Sequence, residues 1–421
     1  MVLFLTTSNL PTNPRLLKEL DLMTKESEIT VILFKLGNWS DAINQSKIKD
    51  RPHVNFIEID VTRENKLKWA LWAILEKAGR ILRPLNKQNL RLNAIAHTRR
   101  SMLILLQAQK MRLKPDYIVA HNLGALYPAY KLSETHNVPF IYDIEDFDPG
   151  IIVKNGGKNY KPICETLLRK CLPSSSAMTS ASPLISQYTL SLLENNQTPH
   201  QVIRNSFPSK DFQSPSKKDS NILSMVWFSQ IISFGRGIEQ LLDAIKEVNK
   251  ACINKQITLR LTLIGDLDSK FNAHVIQPFL YHLQESKVGN EVIVVNIHPP
   301  MPQEELHREL ANHDVGLALE PGKDINNELA ISNKIIAYAQ AGLYILATDT
   351  SAQRQFMEEE IGRGLICGQN SESIAAELQK IMKEITDIQY HSLERFNKGK
   401  SLSWEKECNK IKELWKNLGI I

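Results

Sequence analysis

Residues 315–349, VGLALEPGKDINNELAISNKIIAYAQAGLYILATD, decide the reading of the whole chain. VGLALE is a short apolar run of strand length, and LYILAT is another. Between them stand a polar loop with Glu320, Asp324, Asn326, Asn327 and Glu328, then a helix-sized segment from Asn333 to Ala341. Ser332 is placed to cap that helix, and Gly342 to stop it. Two buried strands joined by a loop and a helix predict a parallel β-α-β unit. In an open parallel sheet, ligands sit outside the carboxyl ends of the strands. The loop 320–332 and the helix start fall there.

Upstream, residues 227–242, WFSQIISFGRGIEQLL, predict a strand end, a turn and an amphipathic helix. Ile238, Leu241, Leu242, Ile245 and Val248 fall on one helical face, which turns inward. Gly235 and Gly237 let backbone approach a ligand closely, and a helix N-terminus offers amides to an anion. Arg236 between them adds a fixed cation with a planar fork of donors. Together these predict a diphosphate site.

The same alternation covers the rest of the chain. Strands are expected at residues 1–8, ITVILFKL, VNFIEIDV, DYIVAHN, PFIYDIED and SAMTSAS, with helices at TNPRLLKELDLMTKE, ALYPAYKLSETHN, KPICETLLRKCL and PLISQYTLSLL. Asn13 or Thr12 caps the first helix, and Pro14 opens it. A Pro- and Ser-rich stretch, SFPSKDFQSPSKKDS, then reads as a linker. A second series follows from residue 222, with strands SMVWFSQ, TLRLTLIG and EVIVVNIH and a helix near 272–286. The fold class is α/β: two Rossmann-like, doubly wound parallel-sheet domains facing across a cleft. The first domain spans 1–207 and the second 222–400, with the linker at 208–221 and a final amphipathic helix at 401–421.

Composition narrows the setting. The chain has 421 residues, 43% hydrophobic and 23% charged, ordinary for a globular protein. Its five cysteines are scattered without metal spacing, which predicts reduced thiols in a cytoplasmic protein. The start MVLFLTTSN reads as a first strand and not as a signal peptide. No apolar stretch has the length of a membrane span. The net charge is +5, but residues 61–114 carry thirteen Lys or Arg against two acids. That region also holds Leu67, Trp69, Leu71, Trp72, Ile74, Leu75, Ile81 and Leu82. A basic, Trp-bearing amphipathic helix predicts contact with an anionic membrane surface through 64–114, peripheral on the inner face of the plasma membrane. No nucleic-acid motif accompanies the charge.

With these pieces together, the chain resembles the retaining glycosyltransferases of the GT-B fold. Their large family includes sucrose synthase and many bacterial polysaccharide and lipopolysaccharide sugar transferases. WFSQIISFGRGIE, LALEPGKDINNELAISNKIIAYAQAG and IYDIEDF carry the likeness. The resemblance implies transfer of a hexosyl-type sugar from a nucleotide diphosphate sugar to a glycan or lipid-linked acceptor. It also implies retained configuration, no metal and no cofactor beyond the donor. It places Arg236 on the donor diphosphate, with Gly235, Gly237, Ser332, Asn333, Lys334 and Glu328 around the donor. A second family cation at the strand end is replaced here by Gln230 or Ser229. The family's ribose-gripping glutamate, five residues before the helix-ending glycine, is replaced by Ala337. Of the available carboxylates, Glu320 is favoured over Glu328 for catalysis because it ends its strand.

In the first half, Glu145 stands where the family usually has a His, and Asp146 follows. An ionised Glu there accepts hydrogen bonds only, and serves as a base if burial raises its pKa. His121 and Asn122 end another expected strand. The catalytic candidates are therefore Glu320, Glu145 and His121. Asn13, Arg15, Asn122 and Asp146 are the acceptor candidates, and His298 is a further polar residue at a strand end. Two other functions fit the same residues: a degenerate homologue that binds nucleotide sugar without catalysis, and a nucleotide-sugar epimerase. Product formed without any acceptor would single out the epimerase.

Overall fold

The computed structural model describes the chain apart from residues 24–26, 65, 154–159, 195–196, 217, 286–291, 362–363 and 421. The ends of the helices expected at 12–26 and 272–286, the first residue of the strand expected at 291–298, Asn65 of the basic region and Lys217 of the linker thus lie outside the described residues. The rest groups into two units: residues 1–204, 324–326 and 408–421, and residues 205–323 and 327–407.

The first unit is built on seven parallel strands: β1 (Val2–Thr6), β2 (Ile29–Lys35), β3 (Val54–Asp60), β4 (Tyr117–His121), β5 (Phe140–Ile144), β6 (Ala177–Ser180) and β7 (His200–Val202). Their order is β3-β2-β1-β4-β5-β6-β7. Runs such as VLFLT and FIYDI are buried at every residue, as central parallel strands require. The order reverses direction between β1 and β4, so the loops leaving those strands diverge and open a crevice at their carboxyl ends.

Six parallel strands form the second unit: β8 (Ile222–Ile232), β9 (Thr258–Leu267), β10 (Ile293–His298), β11 (Val315–Ala318), β12 (Tyr344–Thr348) and β13 (Gly364–Cys367). They lie in the order β10-β9-β8-β11-β12-β13, and the direction reverses between β8 and β11. Strand β8 runs past its expected end. Its register with β9 shifts between Phe228 and Ile231, so Ser229 and Gln230 sit in a bulge. Opposite them a Cβ on Gly265 would come within 2.4 Å of the Ser229 carbonyl, so the bulge needs a glycine across from it.

The segment expected as a linker packs onto the second unit. The Phe207 amide donates to Gln340 Oε1 at 3.0 Å, Gln340 Nε2 donates to the Phe207 carbonyl at 2.8 Å, and Ser216 N donates to the Ala311 carbonyl at 3.1 Å. Phe212 stacks on His307 with ring centroids 4.5 Å apart. Two aromatics in so polar a stretch bury more area than a free tether would. The last helix, Trp404–Asn417, starts in the second unit, where Trp404 N donates to the Phe207 carbonyl at 2.9 Å. From Cys408 onward it belongs to the first unit, where buried Trp415 meets Phe4 edge-on at 6.3 Å.

The basic region forms three helices, Lys66–Leu82, Leu90–His97 and Arg99–Lys110. All five cysteines are free and buried. Among the described residues, no helix is long and apolar enough to cross a membrane.

Candidate functional site

In the second unit the diverging loops after β8 and β11 gather most of the expected donor residues. Gly235 and Gly237 have φ of +70° and +80°, a region that glycine alone enters freely. A Cβ on Gly237 would also lie 2.7 Å from the Leu319 Cβ, so the helix Ile238–Lys255 starts hard against the end of β11. The turn is tied from both sides: the Gly235 amide donates to Glu239 Oε1 at 2.7 Å, and its carbonyl accepts from Lys323 Nζ at 2.6 Å. The Gly235 amide, expected to face a phosphate, is thus engaged by the first turn of its own helix. Arg236 is exposed, and its Nη1 donates to Ser229 Oγ at 3.2 Å.

Ser229 and Gln230 line a pocket of about 370 Å³ with Phe228, Pro300, Met301, Asn333 and Lys334. It opens at the carboxyl ends of β8 and β9 and at the start of the helix Asn333–Ala341. A second pocket of about 160 Å³ lies beside Gly235, Gly237, Glu320, Lys323 and Thr348. Glu320 and Lys334 are joined by a short ion pair, and the Lys334 ammonium lies 5.6 Å from the centre of the Trp227 ring. That cation is therefore drawn to an anion and an aromatic face at once.

The remaining donor candidates have structural tasks in this conformation. Ser332 Oγ accepts from Ile335 N at 3.3 Å and caps the helix, which Gly342 ends at φ +75°. Asn333 Oδ1 accepts from Asn205 Nδ2 at 3.0 Å at the pocket rim. Glu328 Oε2 accepts from the Ser351 amide and hydroxyl at 3.0 and 3.1 Å, and a Cβ on Gly322 would strike its other oxygen. Glu328 thus holds the start of the helix Ser351–Phe356. Ala337 is wholly buried in an apolar cluster with Phe207, Val226 and Tyr338.

In the first unit the crevice between β1 and β4 is filled from within. Arg15 is buried, donating from Nε and Nη2 to the two Asp143 oxygens at 2.6 and 2.5 Å and from Nη1 to the Ile203 carbonyl at 2.6 Å. His121, also buried, sits with Nε2 3.1 Å from Glu19 and Nδ1 3.3 Å from Asp143. Burial works to discharge the imidazole, but Glu19 and Asp143 outweigh it and push its pKa up to about 10. Burial likewise opposes the charge on Asp143, yet Arg15 and His121 hold its pKa well below the usual carboxylate range. Thr179 Oγ1 adds a donor to Asp143 at 2.5 Å. Two cations and two anions close on each other, which is how buried charge is tolerated.

The expected acceptor role of Arg15 therefore gives way to an internal ion pair, and His121 is a buried imidazolium with anionic neighbours on both sides. Asn13, also buried, caps its helix by accepting from Leu16 N at 3.1 Å and donates to Thr6 Oγ1 at 3.2 Å. Glu19, His121 and Asp143 are the group of described residues whose ligand atoms lie close enough to hold a metal ion. Arg15 already occupies both Asp143 oxygens, so the group fits a metal poorly.

Two neighbours of this network, Asn122 and Glu145, are half-buried. Asn122 has φ +68° and ψ 146°, a costly backbone state for a residue with a side chain, and accepts from Thr6 Oγ1 at 2.7 Å. Glu145, half-buried at the end of β5, has its pKa pushed up to about 7 by burial, which Arg15 only partly offsets. Asp148 next along is also raised to about 7, by burial and by Asp146. Asp146 is exposed and accepts from Asn326 Nδ2 at 2.9 Å, while the Phe147 amide donates to Asn326 Oδ1 at 2.7 Å. His298 is exposed at the end of β10.

Sequence reasoning missed Glu19, Thr179 and the pocket residues Pro300 and Met301. Arg15 and Glu19 are four residues apart on one face of the helix Pro14–Leu20, a spacing that marks them as partners. No comparable pattern marks Pro300 and Met301.

No family profile matches the sequence, and no curated protein matches it. Solved structures do match. Anabaena Alr3699/HepE, solved with UDP, superposes with a TM-score of 0.65 at 14% identity over 99% of both chains. Sucrose-phosphate synthase from Thermosynechococcus elongatus gives 0.63 at 13% over 99% of both. A glycosyltransferase from Rickettsia africae gives 0.58 at 14%, over 99% of this chain and 98% of that one. At such identities the likeness establishes the fold, which this chain shares with GT-B glycosyltransferases along nearly its whole length.

Proposed function

We propose that the protein transfers a hexosyl-type sugar from a nucleotide diphosphate sugar to a glycan or lipid-linked acceptor. One arrangement carries the reading: at the β8–β11 switch point of the second unit, a pocket of about 370 Å³ is flanked by Lys334 and by Ser229, the partner of Arg236. Support comes from HepE, solved with UDP and with UDP-glucose on the same fold.

The nucleoside sits against Phe228, Pro300 and Met301, and the diphosphate meets Arg236 and Lys334. As the bond from the anomeric carbon to the phosphate oxygen breaks, charge builds on the departing diphosphate, and the two cations stabilise it in place. The acceptor oxygen bonds to the anomeric carbon. Its proton passes to a donor phosphate oxygen. Glu320, paired with Lys334, sets the position of that lysine. The reaction retains configuration and uses neither metal nor further cofactor, in cytoplasmic synthesis of a cell-surface polysaccharide or lipopolysaccharide.

A second reading has its own observation. Ala337 replaces the carboxylate expected on the donor ribose and is sealed in the core, which favours a homologue that binds nucleotide sugar without turning it over. Thermal-shift screening against UDP-, GDP- and other nucleotide sugars tests both. A ligand at about a hundred times its Kd adds about 2.7 kcal/mol of stability, visible as a raised midpoint. If no nucleotide sugar raises the midpoint, both readings fail; a raised midpoint without any sugar transfer leaves the second.

A further inference from the structure

The helix Lys66–Leu82 has two faces with different fates. Its inner face is packed: a Cβ on Gly79 would lie 2.6 Å from the Ile95 side chain, and the Trp69 ring lies under Arg63 and Arg99 at 4.9 and 5.2 Å. The outer face is bare of described chain. Leu71, Ile74, Leu75, Ile81 and Leu82 are exposed, Ile74 by 64% and Ile81 by 65%, and Leu85 just beyond the helix by 82%. At helical spacing they make one stripe. Soluble monomers seldom expose so much contiguous aliphatic surface without a use for it.

Cations accompany the stripe: Lys66 and Lys77 on the same helix, and Lys87 and Arg91 just beyond it in the chain, are exposed. Glu76, the helix's one acid, is already engaged, accepting from Arg80 Nη2 at 2.8 Å and from the Arg99 amide at 3.1 Å.

We infer that this face seats the protein on an anionic bilayer, with the helix in the plane of the headgroups and the stripe toward the acyl chains. The aliphatic side chains leave water, and these cations meet anionic lipid. A second copy of the chain is the poorer occupant, because pairing through this face brings the like charges of two copies together. The inference is independent of the sugar-transfer reading.

The test is sedimentation of the full-length protein with vesicles of phosphatidylcholine alone and of phosphatidylcholine mixed equally with phosphatidylglycerol. The protein pellets with the mixed vesicles, stays in solution with the neutral ones, and is released as salt rises. Ile74→Ser with Ile81→Ser, and separately Lys77→Glu with Lys87→Glu, each lower binding about tenfold or more, with unchanged melting midpoints. The proposal is overturned if the wild type ignores the mixed vesicles, or if either double variant binds them as the wild type does. It is equally overturned if the wild type is a dimer that the serine pair disperses.

Discussion

Both sheets gather charged side chains near the carboxyl ends of their strands, where the strand order reverses, and treat them in opposite ways. In the first unit, Arg15, Glu19, His121 and Asp143 are all buried and neutralise one another. In the second, Arg236 is exposed against a neutral serine, and Lys334, half-buried, pairs with Glu320 at a pocket wall. Charge at a strand end is therefore no sign of a ligand by itself. What separates the two regions is whether the chain supplies the full counter-charge and excludes water. The first is a clamp between β1, β4 and β5; the second sets Arg236 against a neutral hydroxyl at the surface.

The contrast predicts that removing a cation costs stability in one unit and activity in the other. Arg15→Ala leaves Asp143 buried without its main partner and should cost about 3–5 kcal/mol in urea unfolding; a loss under about 1 kcal/mol, typical of an exposed pair, would erase the distinction. Arg236→Ala should lower sugar transfer about 10²–10³-fold, while the unfolding free energy moves by no more than about 0.5 kcal/mol. Turnover near the wild-type rate would refute the donor role of Arg236.

Glu145 lies on the border between the two behaviours, and pH separates them. Its folded pKa of about 7 exceeds that of the unfolded chain. The stability this proton contributes is complete below about pH 4, the ordinary carboxylate range, and is lost as pH rises toward 7. Glu145→Gln should flatten that part of the stability curve, leaving the similar slope from Asp148. Urea midpoints measured at successive pH values check this, and curves that superimpose would show that Glu145 is not held protonated by the fold.

Much of the architecture was legible because local rules and the fold agree. Ser332 caps and Gly342 ends the helix at the residues where hydroxyl and glycine stand in the sequence. The apolar runs became central parallel strands. In the stretch expected as a linker, Pro, Ser and Lys content gives no local sign that Phe212 stacks on His307. At the candidate site, Arg236 was recognised between its glycines, but the capture of the Gly235 amide by Glu239 was not.

The sequence by itself determined the periodicities, the caps, the glycines that permit positive φ and the concentration of basic and aliphatic residues between 61 and 114. These depend on residues a few positions apart, and such spacings are written directly in the chain. Tertiary structure alone decided which charges pair. Asp143 lies 128 residues from Arg15 and 22 from His121 in the chain, and only the parallel order of β1, β4 and β5 brings them together. It also decided that the aliphatic stripe of the helix Lys66–Leu82 remains uncovered, because burial belongs to the packed molecule and not to the side chain.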